Sequence, residues 1–145
     1  MEKILISACL VGDNVKYNGG NNQHPLIEKL LEKYELVLFC PEVEGGLPIP
    51  RLSCERKGES VINTNGEDVT TAFENGADLA YNICLFLKIK IAILKEKSPS
   101  CGVHEIYDGT FSHKVIKGSG VTTELLKRKG ITVYNEDEIP LLLKD

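Results

Sequence analysis

Short apolar runs alternate with amphipathic stretches along this chain, and the period of the pattern changes between them. Lys3–Ala8, Leu36–Phe39, Ile91–Leu94 and Ile131–Tyr134 are brief and mostly apolar, the signature of strands buried on both faces of a parallel sheet. Between them the spacing turns helical. Pro25 opens a helix through about Tyr34, with Leu26 and Leu30 on its apolar side and Lys29 and Lys33 on its solvated side. The strongest helical pattern is Thr70–Leu87, where Phe73, Ala77, Ala80, Cys84 and Leu87 recur at steps of three and four. Gly118, Ser119 and Gly120 lead into a helix that stops at Gly130, and Asp137–Leu143 forms a short final one. Two small hairpins are expected. One lies in Ser60–Val69 around Asn65 and Gly66; the other turns at Asp108 and Gly109, between Ile106-Tyr107 and Thr110-Phe111. Gly12 to Gln23 reads as a loop. The Pro- and Gly-rich stretch Pro41–Gly58 reads as an ordered loop over a site rather than a regular element. This order predicts an α/β fold in one domain spanning residues 1–145. It would be three-layered, with a mostly parallel Rossmann-like sheet, helices on both faces and small hairpin insertions.

Composition narrows the function classes. With 145 residues the chain is long enough for a core that needs no disulfide staples. A net charge of −4, no basic run and no Trp leave out the electrostatic footprint of a nucleic-acid binder, so a small molecule is the expected partner. Long nucleic acid is not expected. The apolar part of MEKILISACL is too short for a signal peptide and no segment is long enough for a membrane span, which predicts a cytoplasmic protein with no membrane partner. Oligomeric state is not legible.

Five cysteines are an odd number, and none falls in a CxxC pair. In a reducing compartment, metal binding or thiol chemistry is the better expectation than disulfides. Cys9, Cys40 and Cys101 each stand where an apolar run gives way to a turn. In an open parallel sheet such ends meet at the carboxyl edge, where these folds build their sites. Three convergent thiolates are one short of a closed cage, which points to a soft metal or iron–sulfur centre with an open position. Zinc with a fourth ligand is one reading, although His24, His104 and His113 are isolated; an iron–sulfur cluster is the other. Cys84 lies within the helical core stripe and reads as a small hydrophobe. Cys54, in the polar stretch PRLSCERK, is either a fourth ligand or an exposed thiol.

Glu42, two residues after Cys40, is a solvated loop carboxylate or a general acid/base. Ser98 and Ser100, around Pro99, either cap a turn or offer hydroxyls to a substrate. Arg51 either sits in solvent or orients a carboxylate or carbonyl group. Gly118, Ser119 and Gly120 suit a turn and cap better than an anion site, since the dinucleotide fingerprint is incomplete.

Taken together, SACLVG, VKYNGG, CPEVEGGLPIPR, GEDVT, ILKEKSPSCG, IYDGTF and GSGVT, in that order, resemble a small bacterial family formerly of unknown function that includes the 2-thiouracil desulfidases. The resemblance runs from Ser7 to Ile131. It implies a [4Fe–4S] cluster held by Cys9, Cys40 and Cys101, with one iron not ligated by protein, and catalytic roles for Glu42 and Ser98. Asn18 stands where many relatives are expected to carry an acidic residue, and Cys54 and Cys84 match no ligand motif. The expected reaction is non-redox, hydrolytic removal of sulfur from a thionated base or nucleoside such as 2-thiouracil or 4-thiouracil, with a thio-modified tRNA position left open. Substrate contacts from Ser100 and Arg51 are added on local grounds. Two other readings are a cysteine persulfide sulfur-transfer enzyme and a non-enzymatic iron–sulfur binding or sensor module.

Overall fold

A computed structural model describes residues Met1–Lys144. The chain runs β1 (Glu2–Ser7), α1 (Ile27–Lys33), β2 (Tyr34–Phe39), α2 (Pro41–Glu44), β3 (Cys54–Lys57), β4 (Ser60–Asn63), α3 (Thr70–Leu87), β5 (Ile91–Ile93), β6 (Glu105–Tyr107), β7 (Val115–Lys117), α4 (Val121–Arg128), β8 (Thr132–Tyr134) and α5 (Ile139–Leu142). Four strands form one sheet in the order β2-β1-β5-β8, and every neighbouring pair is parallel. The other four make two separate antiparallel hairpins, β3–β4 and β6–β7.

Strand pleating sends alternate residues of the sheet into two cores. Ile4, Ile6 and Ile93 meet Ile27 and Leu30 of α1 and Ile139 and Leu142 of α5. Leu5, Ala92 and Val133 meet Ala80 and Cys84 of α3 and Leu126 of α4. The three-layer α/β expectation holds, with helices on both faces. No helix among the described residues is long and apolar enough to cross a membrane.

Several local expectations are corrected. Pro41–Gly58 is not wholly irregular, because it contains α2 and β3. The first hairpin pairs β3 with β4 across Gly58, whose φ is 62°. Asn65 and Gly66 only close a smaller return, in which the Asn63 amide donates to the Glu67 carbonyl at 3.0 Å. In the second hairpin β6 pairs with Val115–Lys117 rather than with Thr110-Phe111, leaving a longer loop. Helix α1 stops at Lys33 because Tyr34 is already extended and paired with Glu2. Before Ile139–Leu142 the chain makes a 3-10 turn, Glu136–Glu138. Asn135 caps it in a reciprocal box with Glu138.

Helix α2 rests directly on α3. A Cβ at Gly76 would meet the Pro41 carbonyl, and one at Gly45 would meet the Ala72 carbonyl. These two glycines let backbone touch backbone, which fixes the segment that follows β2.

Candidate active site

The chain leaves β1 toward β2 on one side and returns to β5 on the other, so the order reverses between β1 and β5. Crevices at such reversals, beyond the carboxyl ends of the strands, are where open α/β sheets bind ligands. A cavity of about 360 Å³ lies there, bordered by Cys9, Cys40 and Cys101. Beyond β1, Cys9 sits in a 3-10 turn, Ala8–Val11, closed by Gly12 at φ 106°. The Gly/Asn loop folds back over it: the Asn22 amide donates to the Cys9 carbonyl at 2.9 Å, and Asn22 Nδ2 donates to Cys9 Sγ at 3.5 Å. Cys40 immediately precedes α2, whose first residue is Pro41. Cys101 lies in the loop after β5.

All three thiols are shifted upward. Burial is the main cause at each. The hydrogen bond from Asn22 partly offsets it at Cys9, and the Val43 amide does so at Cys40. At Cys101 the bond with Ser7 works against burial, while the negative charges of Cys40, Glu42 and Cys9 add to it. Each thiolate would therefore form near the others, in a place poor in water.

Glu42 points into the same cavity. Its Oε1 accepts from Arg51 Nε at 3.1 Å and its Oε2 from Ser98 Oγ at 3.4 Å. Arg51 is almost wholly buried and spends its remaining nitrogens on the Val15 carbonyl at 2.9 Å and the Pro48 carbonyl at 3.2 Å. The carboxylate it orients is thus Glu42. Ser98 Oγ also accepts the amides of Ser100 and Cys101, both at 3.1 Å. One hydroxyl therefore joins the Cys101 loop to Glu42. Ser100 departs from the expected substrate contact: it is fully buried, shares its hydroxyl with Thr122 at 2.9 Å, and does not border the cavity.

The Cys101 loop is fixed at two places. Glu96, buried, takes the amides of Val103 at 2.6 Å and His104 at 3.0 Å on Oε1, and Asn135 Nδ2 at 2.8 Å on Oε2. Burial alone would raise the Glu96 pKa, but these bonds outweigh it and hold the carboxyl below its ordinary value. At its other side the loop covers the start of α4. The Val121 and Thr122 amides donate to the Pro99 and Ser100 carbonyls, both at 2.9 Å, and Thr123 Oγ1 to the Cys101 carbonyl at 2.8 Å. Gly120 makes the approach possible, since a Cβ there would strike the Ser100 backbone. The turn-and-cap reading of Gly118 to Gly120 is therefore the correct one, because these helix-start donors are already spent on the loop.

Comparison with known proteins decides the lineage. A family model for 2-thiouracil desulfurase matches residues 4–138. The chain belongs to the 2-thiouracil desulfurase family. It is 42% identical over 146 residues to the uncharacterized protein YbbK of Bacillus subtilis (strain 168), covering 94% of this chain and 97% of the relative. It is also similar to a solved structure of the [4Fe–4S]-dependent thiouracil desulfidase TudS. That match has a TM-score of 0.94 and 46% identity, and covers 98% of this chain and 95% of the other.

In this desulfurase-family chain the remaining candidates separate clearly. Cys84 is buried in the α3 core. Cys54 opens β3 and borders the cavity near Glu42; burial first, then the Glu42 charge, push its thiol up to about 11. His104 pairs with Glu138 at 2.9 Å, and His24 Nδ1 accepts the Leu26 amide at 3.1 Å. Neither borders the cavity, whereas His113 does. Among the described residues, no three His, Cys, Asp or Glu side chains close tightly enough around one point to hold a single ion. Asn18 turns inward on its own loop, accepting the Gly20 amide at 2.9 Å. Sequence reading missed Asn22, Lys95, Tyr107 and the cavity position of His113. Only the flanking motifs VKYNGG, KEKSPSCG and IYDGTF marked their neighbourhoods.

Proposed function

We propose that this protein is a desulfidase that replaces the sulfur of a thionated nucleobase by oxygen, using a [4Fe–4S] cluster held by Cys9, Cys40 and Cys101. The donor set supports the cluster: two buried thiols, Cys9 and Cys101, and the half-buried Cys40 border one cavity, and ionising all three together there calls for a cationic group. When bound, the cluster supplies a Lewis-acidic iron, unligated by protein, for a soft thiocarbonyl sulfur.

The protein's own residues manage water and protons. Arg51 and Ser98 each occupy one lone pair of Glu42, so the carboxylate keeps acceptor sites in a fixed orientation toward the cavity. Glu42 takes a proton from a water whose oxygen bonds to the ring carbon, then returns it as the carbon–sulfur bond breaks. Thiocarbonyl and water become carbonyl and hydrogen sulfide, with no net electron transfer. Ser98 keeps Glu42 aligned with the Cys101 loop. The cavity, about 360 Å³, is at the small end for ligand sites and favours a base or nucleoside over a longer polynucleotide.

The observation that carries this reading is Glu42, clamped on both oxygens, in the same cavity as the three thiols. Persulfide chemistry is the poorer match, because a buried thiol with a raised pKa is a weak nucleophile. The test is anaerobic reconstitution, with iron and sulfide assayed before incubation with 2-thiouracil and 4-thiouracil. Sulfide release that scales with bound iron is expected. Release by iron-free protein, or an iron-loaded protein that releases none, would overturn the reading.

A further inference from the structure

One wall of the cavity has no part in the chemistry above. Tyr107, the last residue of β6, and His113, in the loop to β7, both border it. Their ring centroids are 6.4 Å apart and their planes meet at 84°. Two rings at a right angle make a corner. A flat heteroaromatic ligand fits such a corner by stacking its face on one ring and setting its polar edge against the other, where the tyrosine hydroxyl or an imidazole nitrogen offers a hydrogen bond.

The corner is held in place. Glu55 of β3, a buried carboxylate that itself borders the cavity, accepts the amides of Gly109 at 3.0 Å and Phe111 at 3.1 Å. The Asp108 amide closes the loop onto the Lys114 carbonyl at 3.0 Å. Phe111 and His113 sit at φ 57° and 62°, a conformation non-glycine residues keep only where their surroundings dictate it. Gly109, at φ 93°, lies against the Lys57 side chain, where an added Cβ would come within 2.8 Å. An unconstrained surface loop would need none of this.

We infer that Tyr107 and His113 form the subsite for the planar ring of the substrate and set its preference for a nucleobase. The inference rests on the desulfidase reading for its substrate class and deepens it. The test uses the full chain, comparing wild type with Tyr107→Ala, His113→Ala and the ring-conserving Tyr107→Phe. Two measurements are made: KM and kcat for 2-thiouracil on the iron-loaded enzyme, and calorimetric binding of uracil, the product base, to iron-free protein. Each alanine variant is expected to raise KM and weaken uracil binding roughly five- to a hundredfold, the range for losing one base–aromatic stack, with kcat within about twofold. Tyr107→Phe is expected to keep most of the affinity. An active wild type whose alanine variants leave KM and uracil binding unchanged would overturn the subsite and spare the desulfidase reading. A wild type that binds uracil through these rings yet releases no sulfide would support the subsite and overturn the activity.

Discussion

Two segments carry the candidate residues to the cavity, the loop of Ser98 and Cys101 and the helix start of Cys40 and Glu42, and beside each lies one buried charged side chain, the two of opposite sign. Glu96 gathers the loop of Ser98 and Cys101 by accepting backbone amides and the Asn135 side chain. Arg51 ties the stretch after α2 to the Gly/Asn loop by donating to the carbonyls of Pro48 and Val15. The difference lies in what else each one touches. Glu96 meets backbone and a cap residue, whereas Arg51 delivers Nε to the Glu42 carboxylate. Similar bonding thus serves two ends: Glu96 fixes position, and Arg51 also fixes the orientation of the Glu42 carboxylate, the group proposed to react.

The largest effect should fall at the tip of the Arg51 arm. Glu42→Gln is expected to lower kcat by about 10²–10⁴-fold while bound iron stays at the wild-type level. Iron lost in step with activity would make residue 42 part of the frame and erase the contrast. Next in size is Glu96→Ala, which strands several buried amides and should cost about 3 kcal/mol in urea unfolding. The same carboxylate gives a pH signature. Its folded pKa lies below the ordinary value, so its stabilisation is present above the unfolded carboxyl pKa and disappears as pH falls through the folded one. Wild-type stability should therefore decline more steeply with acid than that of Glu96→Ala. Equal slopes would show that Glu96 does not carry that acid-sensitive stabilisation.

Arg51→Lys keeps the charge but not the forked donors, and about a tenfold to hundredfold loss in kcat with little change in unfolding free energy is expected. A stability loss as large as that of Glu96→Ala would make the two arms equivalent. Smallest of all, Cys54→Ser should shift stability by no more than about 0.5 kcal/mol and leave iron content unchanged. A fall in iron would add a fourth sulfur to the ligand set.

Strand ends were readable because a buried parallel strand has no polar alternation; Cys40 stands directly after β2, and Cys9 two residues beyond the end of β1. Glu42 and Ser98 were marked by their motifs. Arg51's target was not, because it depends on how Pro41 to Ser53 folds back on itself. Strand β3 escaped notice for a related reason: CERK looks solvent-facing, yet Glu55 and Arg56 are both buried. Arg56 bonds the Ser119 carbonyl at 2.7 Å and Glu124 at 2.8 Å, partners far along the chain. Ser100 misled in the same way, since its partner Thr122 belongs to another element. Polar residues buried through distant partners carry no local periodic signal.

Gly45 and Gly76 leave the segment bearing Cys40 and Glu42 nowhere to retreat, because even one methyl group on either would drive carbonyls apart. Plasticity must then reside on the facing wall. Ser112 and Lys114 are exposed there, so exchanges at these two positions can accumulate without disturbing the segment of Cys40 and Glu42. Directed evolution toward new thionated rings would find its freedom in that loop and meet a hard stop at the helix crossing.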